Sequence, residues 1–264
     1  MNSNTQFCRK YKTKQKMKST KANSTSKFSA LVTLLLILVT TFSFSQTASK
    51  TAAVTDSVTM TKEKQQNITP QQALQKLKDG NNRFVTGKLL DRNLNDQVKA
   101  TANGQFPYAI VLSCVDSRTS TELIFDEGLG DVFNARIAGN FINTDILGSM
   151  EFACKVAGAK LILVVGHNKC GAIKGACDNV ELGNLTHVID EIKPAVDNVK
   201  NIDGERNSHN DDFVQAVAEE NVRLAIKEIS EKSSILNEME KKGEIIIVGA
   251  MYDLGTGKVT FLQN

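Results

Sequence analysis

The sequence predicts an α/β fold with a mostly parallel central sheet, an antiparallel edge strand and flanking helices. Four short runs of apolar residues, rich in β-branched side chains, are typical of strands that are covered on both faces. Segments with helical periodicity separate the runs, and this alternation is typical of a parallel sheet. The four predicted strands span residues 108–113, 131–136, 160–166 and 244–250.

The helices and the edge strand follow from local signals. A first helix should begin at Thr69 and Pro70, because threonine caps helices well and proline suits their first turn. Leu74, Leu77 and Phe84 then mark its apolar face. Further helical patterns cover residues 145–157, 186–199 and 211–230, and residues 258–262 predict a closing antiparallel strand after a glycine-containing turn at 255–257.

Composition and charge limit the classes of function. The chain has 264 residues, of which 41% are hydrophobic and 23% charged, as is ordinary for a globular protein. Its net charge of +3 comes from residues 1–45, which hold eight of the 32 basic residues and no acidic ones. The remainder has 24 basic and 29 acidic residues. Because nucleic-acid binding needs clustered cations, we expect no nucleic-acid partner.

Residues 1–45 have the order of a secretory signal peptide. A basic stretch leads into an apolar run at 28–39, and Ser43 and Ser45 frame a cleavage site before Gln46. Met17 is a possible true start, since it would begin a signal of conventional length. An uncleaved membrane anchor is the alternative, but the uninterrupted apolar core is about nine residues long, against about twenty for a spanning helix. We therefore expect export to the periplasm or beyond, without stable membrane insertion after cleavage.

The segment after the signal is predicted to be a flexible linker. Residues 46–67 are rich in Thr, Ser, Lys and Gln and contain few large apolar side chains. Such a composition buries too little surface to offset the entropy of ordering. The folded domain is therefore predicted to span residues 68–264.

Two short motifs supply metal-binding chemistry. Cys114 follows the first predicted strand, and His167 and Cys170 follow the third. The carboxyl ends of parallel strands share one edge of a sheet, where ligand crevices form. Two thiolates and one imidazole, without a fourth Cys or His nearby, predict a Cys2His zinc site that keeps one position open for chemistry.

Asp116 and Arg118 stand between these ligands in the chain, in the string Cys-Val-Asp-Ser-Arg. The guanidinium of Arg118 can hold the carboxylate of Asp116 ionised through a charge-assisted, bidentate bond. Beside a metal, that carboxylate can accept a hydrogen bond from the attacking nucleophile. The simpler alternative is a salt bridge in the turn after a strand.

The chain resembles the β-class carbonic anhydrases, whose zinc motifs are C-x-D-x-R and H-x-x-C. The resemblance extends from about residue 77 to 262 and includes segments 80–84, 134–140, 149–153, 166–172 and 248–253. It implies the β-carbonic anhydrase fold, and a homodimer or homotetramer.

The resemblance also assigns a reaction and residue roles. It implies that Cys114, His167 and Cys170 hold Zn2+ and that Asp116 and Arg118 form the catalytic dyad. The expected reaction is the reversible hydration of CO2 to bicarbonate and a proton by attack of zinc hydroxide.

The resemblance also suggests substrate-binding residues. Gln105 matches a glutamine that, in the plant-type members, reaches the substrate from the neighbouring subunit. Phe133, Ala138 and Phe152 match positions that line the apolar CO2 pocket, although Phe152 replaces the usual tyrosine. Val111 stands where members with an allosteric bicarbonate site carry tryptophan, so we expect a permanently accessible zinc.

Other functions stay open on sequence grounds. A related enzyme could hydrolyse carbon disulfide or carbonyl sulfide at the same metal site. The domain could also be a non-catalytic zinc-binding or thiol-redox module. Cys154 and Cys177 are spare thiols whose pairing the sequence does not determine.

Overall fold

A five-stranded sheet with the order β2-β1-β3-β4-β5 forms the centre of the protein. The computed structural model describes residues 59–263, so the predicted signal peptide, the alternative start at Met17 and segment 46–58 lie outside the described residues. The strands are β1 Ala109–Ser113, β2 Val132–Arg136, β3 Leu161–His167, β4 Ile246–Tyr252 and β5 Val259–Phe261. The first four are parallel, and β5 pairs with β4 in antiparallel register. The predicted fold class is therefore confirmed.

The register of the sheet places the carboxyl ends of β1 and β3 at the same edge. Every residue of β1 and β3 is buried, as the continuous apolar runs predicted. Ser113 at the end of β1 pairs with Val165 of β3, and His167 at the end of β3 pairs with Tyr252 of β4. Cys114 and His167 therefore leave neighbouring strands at the same carboxyl edge.

The helices cover both faces of this sheet. The four predicted helices correspond to α2, α5, α7 and α8. Thr69 forms a capping box with Gln72 at the start of α2. The predicted helix 145–157 is only partly α-helical, because Phe152–Val156 continues α5 as a π-helical turn. The bounds are α1 Lys62–Asn67, α2 Pro70–Val85, α3 Leu94–Thr101, α4 Thr121–Ile124, α5 Thr144–Glu151, α6 Gly171–Cys177, α7 Leu185–Asn198, α8 Asp211–Lys232 and α9 Ser234–Lys241.

Alternate residues of the central strands build two separate cores. Ile110 and Leu112 of β1 pack in a large core with α6, α7, α8 and α9. Ala109 and Val111 face a smaller core that contains Leu77 of α2. This alternation follows from the two-residue period of a strand, which turns successive side chains to opposite faces.

The folded domain begins earlier than the sequence composition predicts. Segment 59–67, assigned above to a flexible linker, contains helix α1 and packs on the sheet domain. The buried Gln65 donates through Nε2 to Pro107 O at 2.7 Å and to Ala157 O at 2.8 Å, and Met60 N donates to Asp131 Oδ1 at 2.7 Å. Hydrogen bonds of polar groups anchor this segment, so its low content of large apolar residues did not indicate that it folds. Within residues 59–263, no helix is both long and apolar enough to cross a bilayer.

Candidate metal centre

Three predicted ligands converge at the carboxyl edge of the sheet. Cys114 follows β1, His167 ends β3, and Cys170 caps the amino end of α6. Their donor atoms all lie within 4.8 Å of one another, and all three residues are buried. The two sulfur atoms are 3.9 Å apart.

This donor set fits a tetrahedral zinc ion. Zn–S bonds of about 2.3 Å at the tetrahedral angle separate two sulfurs by about 3.8 Å, close to the observed spacing. His167 Nδ1 lies 2.9 Å from Asn168 O, so that nitrogen carries the proton and leaves a lone pair on Nε2. Nε2 is buried and has no hydrogen-bond partner among the described residues. A buried, unpaired nitrogen beside two thiols is what a metal ligand requires.

The two neighbouring thiols differ in how readily they ionise. The contact with Cys170 lowers the pKa of Cys114 to about 4, with further help from His167 and from the Gly139 amide. The same contact, together with burial, raises the pKa of Cys170 far above its ordinary value. One thiolate is therefore already favoured, and a divalent cation supplies the charge that favours the second.

Asp116 and Arg118 form a bidentate pair next to the three ligands. Arg118 Nε donates to Asp116 Oδ1 at 2.9 Å and Nη2 donates to Oδ2 at 2.7 Å, while the Arg118 backbone N donates to Oδ1 at 3.0 Å. The guanidinium is the main reason that the pKa of Asp116 lies well below its usual range. Asp116 Oδ2 is 3.9 Å from His167 Nε2. The pair is thus a turn salt bridge whose carboxylate faces the metal donors.

Arg136 and Thr119 hold the loop that carries Cys114 and Asp116. Arg136 donates through Nε to Cys114 O at 3.0 Å and through Nη2 to Asp116 O at 2.6 Å. Thr119 Oγ1 donates to the same two carbonyls at 3.0 and 2.9 Å. Sequence reasoning assigned no role to either residue, although Arg136 lies within a segment that carries the family resemblance.

Asn168 fixes the loop that carries His167 and Cys170. Its Nδ2 donates to Asp253 Oδ2 at 2.6 Å, and its Oδ1 accepts from Leu254 N at 2.9 Å. Since the carbonyl of Asn168 also accepts from the His167 ring, this anchoring orients the imidazole.

Comparison with known proteins decides the family. The family model described as carbonic anhydrase matches residues 109–259, which include all three candidate ligands. The chain belongs to the β-class carbonic anhydrases. A relative, carbonic anhydrase 2 of Mycobacterium tuberculosis, is 36% identical over 206 residues, which cover 75% of this chain and 95% of that protein.

Solved structures of the family share the fold. The Coccomyxa β-carbonic anhydrase in complex with acetazolamide has a TM-score of 0.57 and 26% identity, covering 64% of this chain and 78% of that one. A tetrameric β-carbonic anhydrase of Sordaria macrospora has a TM-score of 0.54 and 23% identity, covering 64% of this chain and 91% of that one. The second likeness supports the fold alone.

The residues predicted to contact CO2 divide into two groups in this carbonic anhydrase. Ala138 directly precedes Gly139, whose backbone N donates to Cys114 Sγ at 3.5 Å, so Ala138 borders the metal centre. Phe133 and Phe152 instead form an edge-to-face pair with ring centres 6.1 Å apart, lining a pocket at the edge strand β2. None of the three metal ligands lines that pocket, and 52% of Phe152 is exposed.

Gln105 lies far from the ligands within its own chain. It precedes β1 and lines a pocket with Lys62 and Phe106, at the strand end opposite to Cys114. A contact between Gln105 and a substrate at the metal centre would therefore need a second subunit.

The remaining cysteines of the described chain are separate from the centre. Cys154 and Cys177 are buried and unpaired in residues 59–263. Burial raises the pKa of Cys154 to about 12 and that of Cys177 to about 11, so both stay protonated at neutral pH. Inert thiols of this kind do not support a redox function.

Proposed function

We propose that this carbonic anhydrase hydrates CO2 reversibly to bicarbonate and a proton at a zinc ion held by Cys114, His167 and Cys170. The proposal rests on a group of three metal donors, which leaves the fourth position of a tetrahedral zinc open. Only these three Cys, His or carboxylate donors cluster within the described residues, and the ion-paired Asp116 lies beside them. A zinc ion bound there supplies a Lewis acid that lowers the pKa of a water molecule toward neutrality.

The proposed role of Asp116 is to orient the attacking water. Its carboxylate is ionised at neutral pH and can accept a hydrogen bond on the side that faces His167. Arg118 fixes both oxygens, so the carboxylate is held in one direction before substrate arrives. This preorganisation lowers the entropic cost of aligning the water with the carbon of CO2.

Asp116 is a poor proton carrier for the same reason. Because Arg118 lowers its pKa, the carboxylate has little tendency to take up a proton near pH 7. Asp116 is therefore not expected to carry away the proton that hydration releases. Arg118 balances the negative charge of this carboxylate from a side chain that is 58% exposed.

The dyad argues against a non-catalytic zinc-binding or redox module. A structural zinc site closes all four positions with protein ligands. Here a carboxylate that is already paired with Arg118 stands beside the three donors. Hydrolysis of carbon disulfide or carbonyl sulfide at the same centre is not favoured by any contact of the described residues.

We further infer that the protein is an exported bacterial enzyme that acts in the periplasm or outside the cell. The basic and apolar order of residues 1–45, with Ser43 and Ser45 before Gln46, supports export. The family resemblance supports a homodimer or homotetramer, in which a Gln105 that contacts substrate would act from a neighbouring subunit.

A CO2 hydration assay on zinc-loaded protein tests the function. Stopped-flow measurement with a pH indicator should show a rate that scales with bound zinc, and chelation should abolish it. Re-addition of zinc should restore the rate. A folded protein that holds one zinc per chain and yet does not accelerate hydration would refute the proposal and favour the non-catalytic module.

A further inference from the structure

A buried amide on α8 interrupts the apolar face of that helix. Asn221 is only 4% exposed and shares this face with seven apolar residues. Burying an amide among such neighbours is unfavourable unless its hydrogen bonds are satisfied. The location of its partner therefore shows what the residue does.

The partner of Asn221 is the turn that touches the metal centre. Asn221 Nδ2 donates to Gly139 O at 2.7 Å. Gly139 N in turn donates to Cys114 Sγ at 3.5 Å. A single glycine thus links a buried amide on α8 to the sulfur of a metal ligand.

The conformation of this turn leaves Gly139 little freedom. Its φ of +79° belongs to the left-handed region that favours glycine. An added Cβ would lie 2.5 Å from Ile192 Cδ1, so α7 closes the turn on one side. Asn221 on α8 holds the same glycine through its carbonyl oxygen. The direction of the Gly139 backbone N–H therefore depends on both helices.

We propose that Asn221 is a positioning residue that aims the Gly139 amide at Cys114 and thereby sets the metal affinity of the centre. Amide hydrogen bonds to a ligating sulfur orient it and stabilise its negative charge. Loss of such an outer contact typically weakens metal binding by about 10- to 100-fold. The inference rests on the zinc site of the proposed function but not on CO2 hydration itself.

Replacement of Asn221 by leucine, which has the same number and branching of side-chain heavy atoms, removes the amide and tests the inference. We expect Asn221→Leu to bind zinc about 10- to 100-fold more weakly in competition with a chromophoric chelator. In cobalt-substituted protein, the sulfur-to-cobalt charge-transfer band should move to longer wavelength, because a thiolate without its amide donor gives up electrons more easily. A general loss of stability would not move that band.

Ile229→Ala is the matched control. Ile229 is fully buried two turns further along the same face of α8, and its apolar side chain makes no hydrogen bond to the turn at Gly139. The control should unfold at lower temperature yet keep its zinc affinity and its cobalt spectrum. If Asn221→Leu does not fold, Asn221→Ser removes the same contact with a smaller polar side chain.

The outcomes separate this inference from the proposed function. Unchanged zinc affinity and an unchanged charge-transfer band in a folded Asn221 variant would overturn the role of Asn221 alone. A wild-type protein that binds no zinc would overturn the proposed function together with the inference. Equal weakening in Asn221→Leu and Ile229→Ala would show that the effect is only structural and would also overturn the inference.

Discussion

Asp116 Oδ2 lies 3.9 Å from His167 Nε2, and the same oxygen accepts a hydrogen bond from Arg118 Nη2 at 2.7 Å. The carboxylate therefore lies beside the metal donors while Arg118 balances its charge. This relationship separates the residues that bind metal from the residues that act on substrate. Variants of the two groups should accordingly have different effects.

Cys170→Ser should lose zinc, because a serine hydroxyl does not replace a thiolate at neutral pH. Metal analysis of the purified variant should show a large fall from one zinc per chain. Cys177→Ser is the matched control, since Cys177 is a buried thiol at the opposite end of α6 from Cys170. Full zinc content in a folded Cys170→Ser protein would contradict the assignment of this ligand.

Asp116→Asn should keep zinc and lower the rate of CO2 hydration by about 100-fold. An amide carries no charge for Arg118 to balance, and one of its two polar atoms is a donor. Asp178→Asn is the control, because Asp178 is an exposed carboxylate whose pKa is also lowered, by its hydrogen bonds with Ser208. An Asp116→Asn enzyme as fast as the parent would remove Asp116 from the mechanism.

The rate of CO2 hydration should rise between about pH 6 and 9. Two thiolates offset the charge of zinc, so the midpoint should lie above the value of about 7 known for a three-histidine carbonic anhydrase site. Asp116 does not cause this rise, because its lowered pKa keeps it ionised at every pH above about 4. Its ion pair is complete above that pH and is lost only as the pH falls toward the lowered pKa. A pH–rate profile of Asp116→Asn should thus show a lower plateau with a similar midpoint, whereas a flat parental profile would contradict the mechanism.

Gln105 should act across a subunit interface, because in its own chain it lies near the amino end of β1, whereas Cys114 follows the carboxyl end. Gln105→Ala should reduce activity while retaining zinc. A hybrid of Gln105→Ala and Asp116→Asn subunits should recover activity, since one of its sites then combines an intact Asp116 with an intact Gln105 from the other subunit. The absence of recovery in hybrids verified by native mass spectrometry would mean that Gln105 does not act across the interface.

Export should leave a mature protein that begins near Gln46. Ser43 and Ser45 supply small residues at the cleavage site after a short apolar core. Intact-mass measurement of protein isolated from the native periplasm checks this. Retention of residues 17–45 would support the membrane-anchor alternative.

The sequence determined the parts of the fold that depend on local periodicity. Continuous runs of apolar residues predicted β1 and β3. The metal ligands could be predicted from the residues at the ends of these runs, since the carboxyl ends of parallel strands share one edge of the sheet. The helix at Pro70 was evident from its cap. The folding of segment 59–67 was not predicted, because it depends on hydrogen bonds to residues distant in the sequence. The α-to-π change at Phe152 was not predicted either, because helical periodicity does not distinguish the two kinds of helix.

Only the tertiary structure decided how the ligands are oriented. The contacts of Asn221 with Gly139, and of Arg136 with Cys114, join residues that are 82 and 22 positions apart. Local pattern carries no information on such pairs, because their geometry follows from the packing of whole helices against the sheet. The sequence thus determined which atoms could bind a metal, and the packing of α7 and α8 around one turn determined how the sulfur of Cys114 is held.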